Sequence, residues 1–304
     1  MVARCFPPSA ASHRRWLVLT LAFFVAAAPV LFAADRMIVA LKPDKNPEVM
    51  LAEKKALEAF LSQKLGQPVE TVIPLSGAVI LEGLASGAID AGYLSATDMV
   101  HAQDRGHAEL LLAGIFGDGR AAYDSYWVVK KESPHRSIAD LRGRPVAFAS
   151  RSSTSGFVVP VLDLHQRGLL DASGRLESFF GNGNVYFGVG YVSAIERVLN
   201  GDAEAAAVSY YVLDLDKHLT PAQRAQLRML QSQGPVPSHV IAVRRSLPSA
   251  QREALQRAFL ALNEPAHQAL RDKLFTTALA VVDPDRHLGE LRSALELAQR
   301  ALQK

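Results

Sequence analysis

Residues 146–160, Val146-Ala-Phe-Ala-Ser-Arg-Ser-Ser-Thr-Ser-Gly-Phe-Val-Val-Pro160, predict a short buried strand, a loop of hydroxyl-bearing residues and an apolar helix. A helix N-terminus carries unsatisfied N–H groups and partial positive charge. Hydroxyls beside it add donors, and Gly156 permits a close approach of the backbone. An oxyanion such as phosphate suits this arrangement, although the same residues also form a helix cap without a ligand. The Gly-Lys-Ser/Thr ending of a nucleotide-binding P-loop is missing, which argues against ATP.

On both sides of this segment, short apolar runs alternate with amphipathic stretches, which is the pattern of an α/β protein. The pattern predicts two lobes, the first interrupted by the second. Residues 35–125 and 238–304 form lobe 1, and residues 126–237 form lobe 2. The chain then crosses between the lobes near Ser125–Tyr126 and again near Pro235–Ser238.

The first 34 residues have the pattern of a secretory signal peptide. Basic residues at 4, 14 and 15 precede the apolar run from Trp16 to Ala34, and small residues follow at Ala33 and Ala34. An uncleaved N-terminal anchor is the alternative interpretation. In either case we expect the remainder of the chain to be exported and to work in the periplasm.

Composition argues against a disordered chain and against a nucleic-acid-binding protein. The chain has 304 residues, of which 49% are hydrophobic and 21% charged, so it has enough apolar surface to fold. Removal of residues 1–34 leaves 30 basic and 30 acidic residues, and no later basic run suggests nucleic acid. The single cysteine, Cys5, leaves with the signal segment, so the mature chain has no disulfide.

Other chemistry has little support in the sequence. The histidines are scattered and form no His-x-x-x-His or His-Glu-x-x-His pair, so we expect neither a metal nor another cofactor. Ser155-Gly156 lacks the Gly-x-Ser-x-Gly nucleophile elbow. An exported phosphoester hydrolase is therefore a weak alternative to a binding protein.

Several motifs together resemble the phosphate/phosphite/phosphonate-binding family of extracytoplasmic solute receptors that feed ABC importers. In chain order the motifs are Asn46-Pro47-Glu48, Leu84-Ala-Ser-Gly-Ala-Ile-Asp-Ala-Gly-Tyr93, Tyr126-Trp-Val-Val-Lys-Lys131, Ser137-Ile-Ala-Asp-Leu-Arg-Gly143, Ser153-Thr-Ser-Gly156 with Pro160, Val198-Leu-Asn-Gly-Asp202 and Ala205-Ala-Ala-Val208. The resemblance implies the type II periplasmic binding protein fold, with two lobes, each a mixed sheet flanked by helices, joined by two hinge crossings. It also implies a monomer that delivers a small oxyanion to an importer permease at the inner membrane.

The resemblance implies a set of ligand-binding residues as well. Ser153, Thr154 and Ser155 would hold the oxyanion from lobe 2, and Tyr93 would face it from lobe 1. The full candidate set is Asn46, Tyr93, Ser153, Thr154, Ser155, Tyr191, Ser209 and Tyr210.

Two departures from the family pattern bear on the ligand. Family members commonly carry a Gly-Ser-His turn where this chain has Val189-Gly190-Tyr191. Members that bind aminoalkylphosphonates place an acid where this chain has Ser209, followed by Tyr210. The sequence therefore favours a ligand without an amine, or a different oxyanion. A sensory protein that reports the ligand to a membrane receptor or histidine kinase remains an alternative to an importer component.

Overall fold

The structure, a computed structural model, describes residues 1–3, 36–42, 47–215, 218–275 and 277–303. Residues 35–304 form one compact unit. The predicted signal segment, apart from its first three residues, lies outside the described residues, and so does Asn46. The side chains of residues 47–49 are likewise outside the description.

Eleven strands of the described residues form two mixed sheets. In chain order the strands are β1 (Met37–Ala40), β2 (Val69–Val72), β3 (Ala91–Leu94), β4 (Ala108–Ile115), β5 (Ala122–Lys130), β6 (Val146–Phe148), β7 (Val185–Phe187), β8 (Ala205–Ser209), β9 (Leu227–Pro237), β10 (Val240–Arg244) and β11 (Ala278–Ala280). Sheet A has the order β11-β4-β10-β3-β1-β2, and sheet B has the order β7-β6-β8-β5-β9. Each sheet is mixed because β10 runs antiparallel to β3 in sheet A and β5 runs antiparallel to β8 in sheet B, whereas β1 with β2 and β6 with β7 are parallel.

Helices flank both sheets. The α-helices are α1 (Pro47–Leu65), α2 (Gly77–Ser86), α3 (Ala96–Asp104), α4 (Val159–Gln166), α5 (Glu177–Phe180), α6 (Tyr191–Asn200), α7 (Tyr211–Asp214), α8 (Pro221–Ala225), α9 (Ser249–Leu260), α10 (Gln268–Leu274) and α11 (Pro284–Ala301). Local signals explain several of their ends: Gly87 and Gly201 take left-handed backbone angles after α2 and α6, as glycine does at helix C-termini. None of the helices in the described ranges is both long and apolar enough to cross a membrane.

The chain passes between the sheets twice. It leaves sheet A after β4 and enters sheet B at β5, and it returns between β9 and β10 through Ser238 and His239. The last helix, α11, packs against both α3 and α4. This architecture of two mixed sheets flanked by helices confirms the predicted fold class.

One buried core continues across both sheets. Ile80 and Leu84 of α2, Trp127 and Phe148 of sheet B and Leu288 of α11 all belong to it. The Trp127 ring packs edge-on against the Phe148 ring, with centroids 5.4 Å apart. Burial of side chains of this size supplies about 1.5–3 kcal/mol each, so the α11 contact stabilises both halves of the chain.

The structure differs from the sequence-based expectation at β9. Residues 235–237 were expected to form a crossing, but they are the end of an 11-residue strand, and the crossing follows at Ser238. The strand was not foreseen because its polar residues and Gly234-Pro235 interrupt any apolar alternation. Proline is tolerated in β9 because β9 is an edge strand, where one row of N–H groups has no ladder partner.

Candidate ligand-binding cleft

Residues 146–166 form a strand, a loop and a continuous helix. A π-helical turn, Thr154–Val158, leads directly into α4. Ser153 caps this helix: its hydroxyl accepts from the Gly156 N–H at 3.0 Å, and its carbonyl accepts from the Val158 N–H at 3.0 Å. The N–H groups of Thr154 and Ser155 have no acceptor inside the helix because the helix begins with them. The start of this helix is therefore electropositive.

Gly156 is required at this point by close packing. A Cβ atom on Gly156 would lie 2.4 Å from the Ala149 Cβ and 3.2 Å from the Tyr191 Cε1. The same contact lets the Ala149 N–H donate to the Gly156 carbonyl at 3.1 Å. The glycine thus allows the helix start to sit directly on the end of β6.

Hydroxyl groups from three elements meet at Ser155. The Ser155 Oγ lies 2.8 Å from the Tyr191 Oη, at the first residue of α6, and accepts from the Tyr123 Oη at 3.5 Å. The Ser155 carbonyl accepts from the Ser125 hydroxyl at 2.6 Å, which fixes the backbone against sheet B. Burial raises the pKa of Tyr123 well above its usual range, and Tyr191 raises it further, so Tyr123 remains a neutral donor. The structure therefore brings the predicted residues Ser155 and Tyr191 together.

Thr154 points in another direction. Its Oγ1 lies 2.9 Å from the Thr97 Oγ1 and accepts from the Thr97 N–H at 3.2 Å, and both side chains are buried. Thr97 belongs to the first turn of α3, which follows sheet-A strand β3. The Thr154 hydroxyl thus joins the loop after β6 to the other half of the chain, while the Thr154 N–H remains at the helix start.

Tyr93 is part of an aromatic stack that also contains a histidine. The Tyr93 ring stacks on the His239 ring with centroids 5.3 Å apart, and the Tyr123 ring lies on His239 with centroids 6.2 Å apart. The His239 Nε2 is 3.4 Å from the Lys42 Nζ. Burial and the nearby Lys42 ammonium lower the pKa of His239 well below its usual range, so this imidazole is neutral.

Ser209 is the last residue of β8, and Tyr210 directly follows it. Ser209 is fully buried opposite Ser125 in the β5–β8 pair, and its hydroxyl has no partner among the described residues. The Tyr210 ring lies 5.9 Å from the Tyr123 ring and 6.0 Å from the Phe116 ring. Tyr210 therefore supports the aromatic cluster, and Ser209 is part of the sheet beneath it.

A cleft of about 880 Å³ is lined by two of the predicted site residues, Ser153 and Tyr191. Its walls come from both halves of the chain: Lys42, Leu75–Ala78, Leu81, Glu82, Ser95, Asp98, His101 and Arg105 on one side, and Ala149–Ser150, Ser152–Ser153, Val189–Ser193, Tyr211 and His218 on the other. The starts of α2, α3, α6 and the Thr154 helix all lie at this cleft. Four helix N-termini at one cleft favour a negatively charged ligand. The described residues contain no group of three or more His, Cys, Asp and Glu side chains placed to hold a metal ion.

Sequence reasoning missed three residues of this region: Lys42, Tyr123 and His239. Each had a weak positional signal. Lys42 comes directly after the first strand, at the strand end where ligands bind in open α/β sheets, and His239 lies next to the predicted second crossing. Tyr123 lies beside the predicted first crossing in the same way.

Two relatives have names that refer to phosphorus compounds. The "Phosphate-import protein PhnD" of Mycolicibacterium smegmatis is 25% identical over 174 residues, which cover 56% of this chain and 54% of the relative. The "Phosphonates-binding periplasmic protein" of Escherichia coli is 23% identical over 239 residues, which cover 77% of this chain and 66% of the relative. The chain thus spans about half of the first relative and just under two thirds of the second.

A solved structure shares the fold along most of the chain. PhnD1 of Prochlorococcus marinus, in complex with methylphosphonate, is 17% identical with a TM-score of 0.74, covering 87% of this chain and 98% of that chain. This likeness shows that the fold is that of type II periplasmic binding proteins.

The family itself follows from a profile match. A family described as "ABC transporter, phosphonate, periplasmic substrate-binding protein" matches residues 39–287, which is most of the chain. The description is that of a substrate-binding component of a transporter, not of an enzyme. The chain belongs to this family of phosphonate-type periplasmic substrate-binding proteins.

Proposed function

We propose that the protein is the extracytoplasmic substrate-binding component of an ABC importer and that it captures a phosphorus oxyanion in the cleft. Phosphonate, phosphite and phosphate share the tetrahedral oxyanion that this site suits. Family membership supports the transport role, and the names of the relatives support the ligand class. The predicted signal peptide and the family both support export to the periplasm, where the protein would meet its permease.

The observation that carries the proposal is the hydroxyl pair of Ser155 and Tyr191 at the start of the Thr154 helix. One proton of the pair is used in the bond between the two hydroxyls, and the other can turn toward a ligand oxygen. The N–H groups of Thr154 and Ser155 have no acceptor inside the helix and can donate as well. Hydrogen bonds to a charged oxygen contribute about 1.5–3 kcal/mol each. A few such bonds, without a full complement of cationic side chains, are enough to hold a small oxyanion.

Capture by closure is the second part of the proposal. We assign residues 35–121 and 238–304 to lobe 1 and the sheet-B residues between them to lobe 2, because β5 begins at Ala122. Tyr93 lies on a sheet-A strand and Ser155 follows a sheet-B strand. A ligand that touches both lobes shifts the equilibrium between the open and closed forms toward the closed form. The free energy of this shift equals the difference between its binding free energies for the two forms.

Calorimetric titration of the protein without residues 1–34 tests the ligand class. Methylphosphonate, phosphite and phosphate are titrated in parallel with sulfate, a tetrahedral anion without phosphorus. We expect at least one phosphorus oxyanion to bind at least about tenfold more tightly than sulfate, which is a difference of about 1.4 kcal/mol. Equal binding of sulfate, or no binding of any of the four, would show that the proposed ligand class is wrong.

A further inference from the structure

Lys42 is a cation held in place at the cleft wall. Its ammonium lies 3.4 Å from the His239 Nε2, and it lines the cleft directly. Within the described part of the chain, Lys42 has no carboxylate partner and no other side-chain hydrogen bond. Among the described residues, no acid neutralises the charge of Lys42.

His239 is built to accept from Lys42 rather than to carry a charge. Its ring is enclosed by the Tyr93 and Tyr123 rings, and it lies on the two-residue crossing between β9 and β10. Because burial and Lys42 keep the imidazole neutral, its Nε2 lone pair faces the ammonium and its proton lies on Nδ1. The positive charge of the pair thus remains on Lys42, at the surface of the cleft.

Lys42 and Ser155 are separated by the Tyr123 and His239 rings. The Tyr123 Oη reaches Ser155, and the Tyr123 ring stacks on His239, whose Nε2 meets Lys42. A ligand whose phosphonate lies at Ser155 would therefore meet Lys42 with its substituent and not with its phosphonate oxygens. The other formally charged residues at the cleft wall are Glu82, Asp98 and Arg105, and the Asp98 carboxylate already accepts from the Ser95 hydroxyl at 2.6 Å.

We propose that Lys42, positioned by His239, selects the ligand's substituent and makes the site prefer a phosphonate with a second acidic group over one with an amine. This inference rests on the proposed function, because it takes the phosphonate to lie at Ser155. A carboxylate on the substituent gains a charge-assisted hydrogen bond from Lys42, whereas an ammonium is repelled by it. The substrate class is then an acidic organophosphonate.

The test compares three ligands that share the phosphonate and differ in the substituent: phosphonoacetate, methylphosphonate and 2-aminoethylphosphonate. Calorimetry on the wild-type protein should show phosphonoacetate binding at least about tenfold more tightly than 2-aminoethylphosphonate. Lys42→Gln should lose most of this preference, mainly by weakening phosphonoacetate, with a change of less than about threefold for methylphosphonate. Lys42→Arg should keep the preference because it keeps the charge.

Two further variants separate positioning from charge alone. Lys131 is exposed and lies outside the cleft lining, so Lys131→Gln makes the same change in net charge and should leave all three affinities unchanged. His239→Leu, which removes the acceptor, should reduce the preference, and His239→Gln, which keeps an acceptor, should restore part of it.

The outcomes distinguish this inference from the proposed function. Equal losses for methylphosphonate and phosphonoacetate in Lys42→Gln would overturn the assignment of Lys42 to the substituent, and so would a wild-type preference for the amine. If no phosphonate binds the wild-type protein but phosphite or phosphate does, the inference fails and the proposed function stands. If none of these phosphorus oxyanions binds, the proposed function fails and the inference fails with it.

Discussion

Replacement of Ser155 by alanine isolates one hydroxyl at the centre of the candidate site. Ser155 is fully buried, and its Oγ contacts Tyr191 at 2.8 Å and Tyr123 at 3.5 Å. The change deletes one oxygen and adds no volume. The Ser153 cap and the bond from the Ser125 hydroxyl to the Ser155 carbonyl use other atoms and remain, so the helix start should keep its position.

The expected loss of affinity follows from the bond to a charged oxygen. Such a bond contributes about 1.5–3 kcal/mol, so its loss should make the dissociation constant about tenfold to a hundredfold larger. The effect on folding should be smaller. The Tyr123 hydroxyl, which is buried, loses its long hydrogen bond, whereas the partly exposed Tyr191 can turn to water. We expect about 1–2 kcal/mol lower free energy of unfolding.

The assay is calorimetric titration with whichever phosphorus oxyanion binds the wild-type protein most tightly, together with urea unfolding of each variant. Ser232→Ala, at an exposed position of β9, is the matched control and should change neither quantity. Tyr191→Phe removes the partner hydroxyl and should weaken binding in the same way. If Ser155→Ala folds and binds with wild-type affinity, Ser155 does not contact the ligand and the site has been placed wrongly.

Four further outcomes follow from the structure. Thr154→Val leaves the buried Thr97 hydroxyl and N–H without an acceptor, so urea unfolding should show about 1–3 kcal/mol lower stability; a loss below about 0.5 kcal/mol would contradict the pairing. Ser209 stands where family members that bind an amine have an acid. Parallel titrations should therefore show no tenfold preference for 2-aminoethylphosphonate over ethylphosphonate, and such a preference would refute the expectation that the site favours a ligand without an amine. Because burial lowers the pKa of both His239 and His287, the unfolded chain binds more protons than the folded chain below about pH 6.5. The melting temperature should therefore fall as the pH drops from about 7 to about 5. His239→Gln should make the melting temperature depend less on pH, and an equal dependence in the variant would show that His239 does not cause it. Small-angle scattering should show a smaller radius of gyration with a saturating ligand than without it, and an unchanged radius with a tightly bound ligand would refute closure.

The local parts of the site could be predicted from the sequence. The strand before Ser150, the helix after Ser153 and the close approach at Gly156 all follow from residues that are neighbours in the chain. Apolar runs, cap residues and glycine act over a few positions, so a single sequence contains their signal.

The long-range parts could not be predicted in this way. Thr97 and Thr154 are 57 positions apart, and Lys42 and His239 are 197 positions apart. No periodic pattern joins residues at such separations, because their contact is created by the order of strands in sheet A and by the two crossings. The resemblance supplied Tyr93 and the serine loop, but only the fold shows that Tyr93 stacks on His239 and that the Thr154 hydroxyl is already occupied.

The place of α11 bears on when the chain can fold during synthesis. Buried residues of this last helix, among them Leu288 and Leu291, complete the core that both sheets share, and β10 lies in the middle of sheet A. The ribosome makes these segments late, so sheet A stays open at its centre until residues 240–244 emerge, and the shared core stays incomplete until α11 follows. Chains that depend on such distant contacts fold slowly. A nascent chain of this topology therefore stays incompletely folded until nearly its full length has been made.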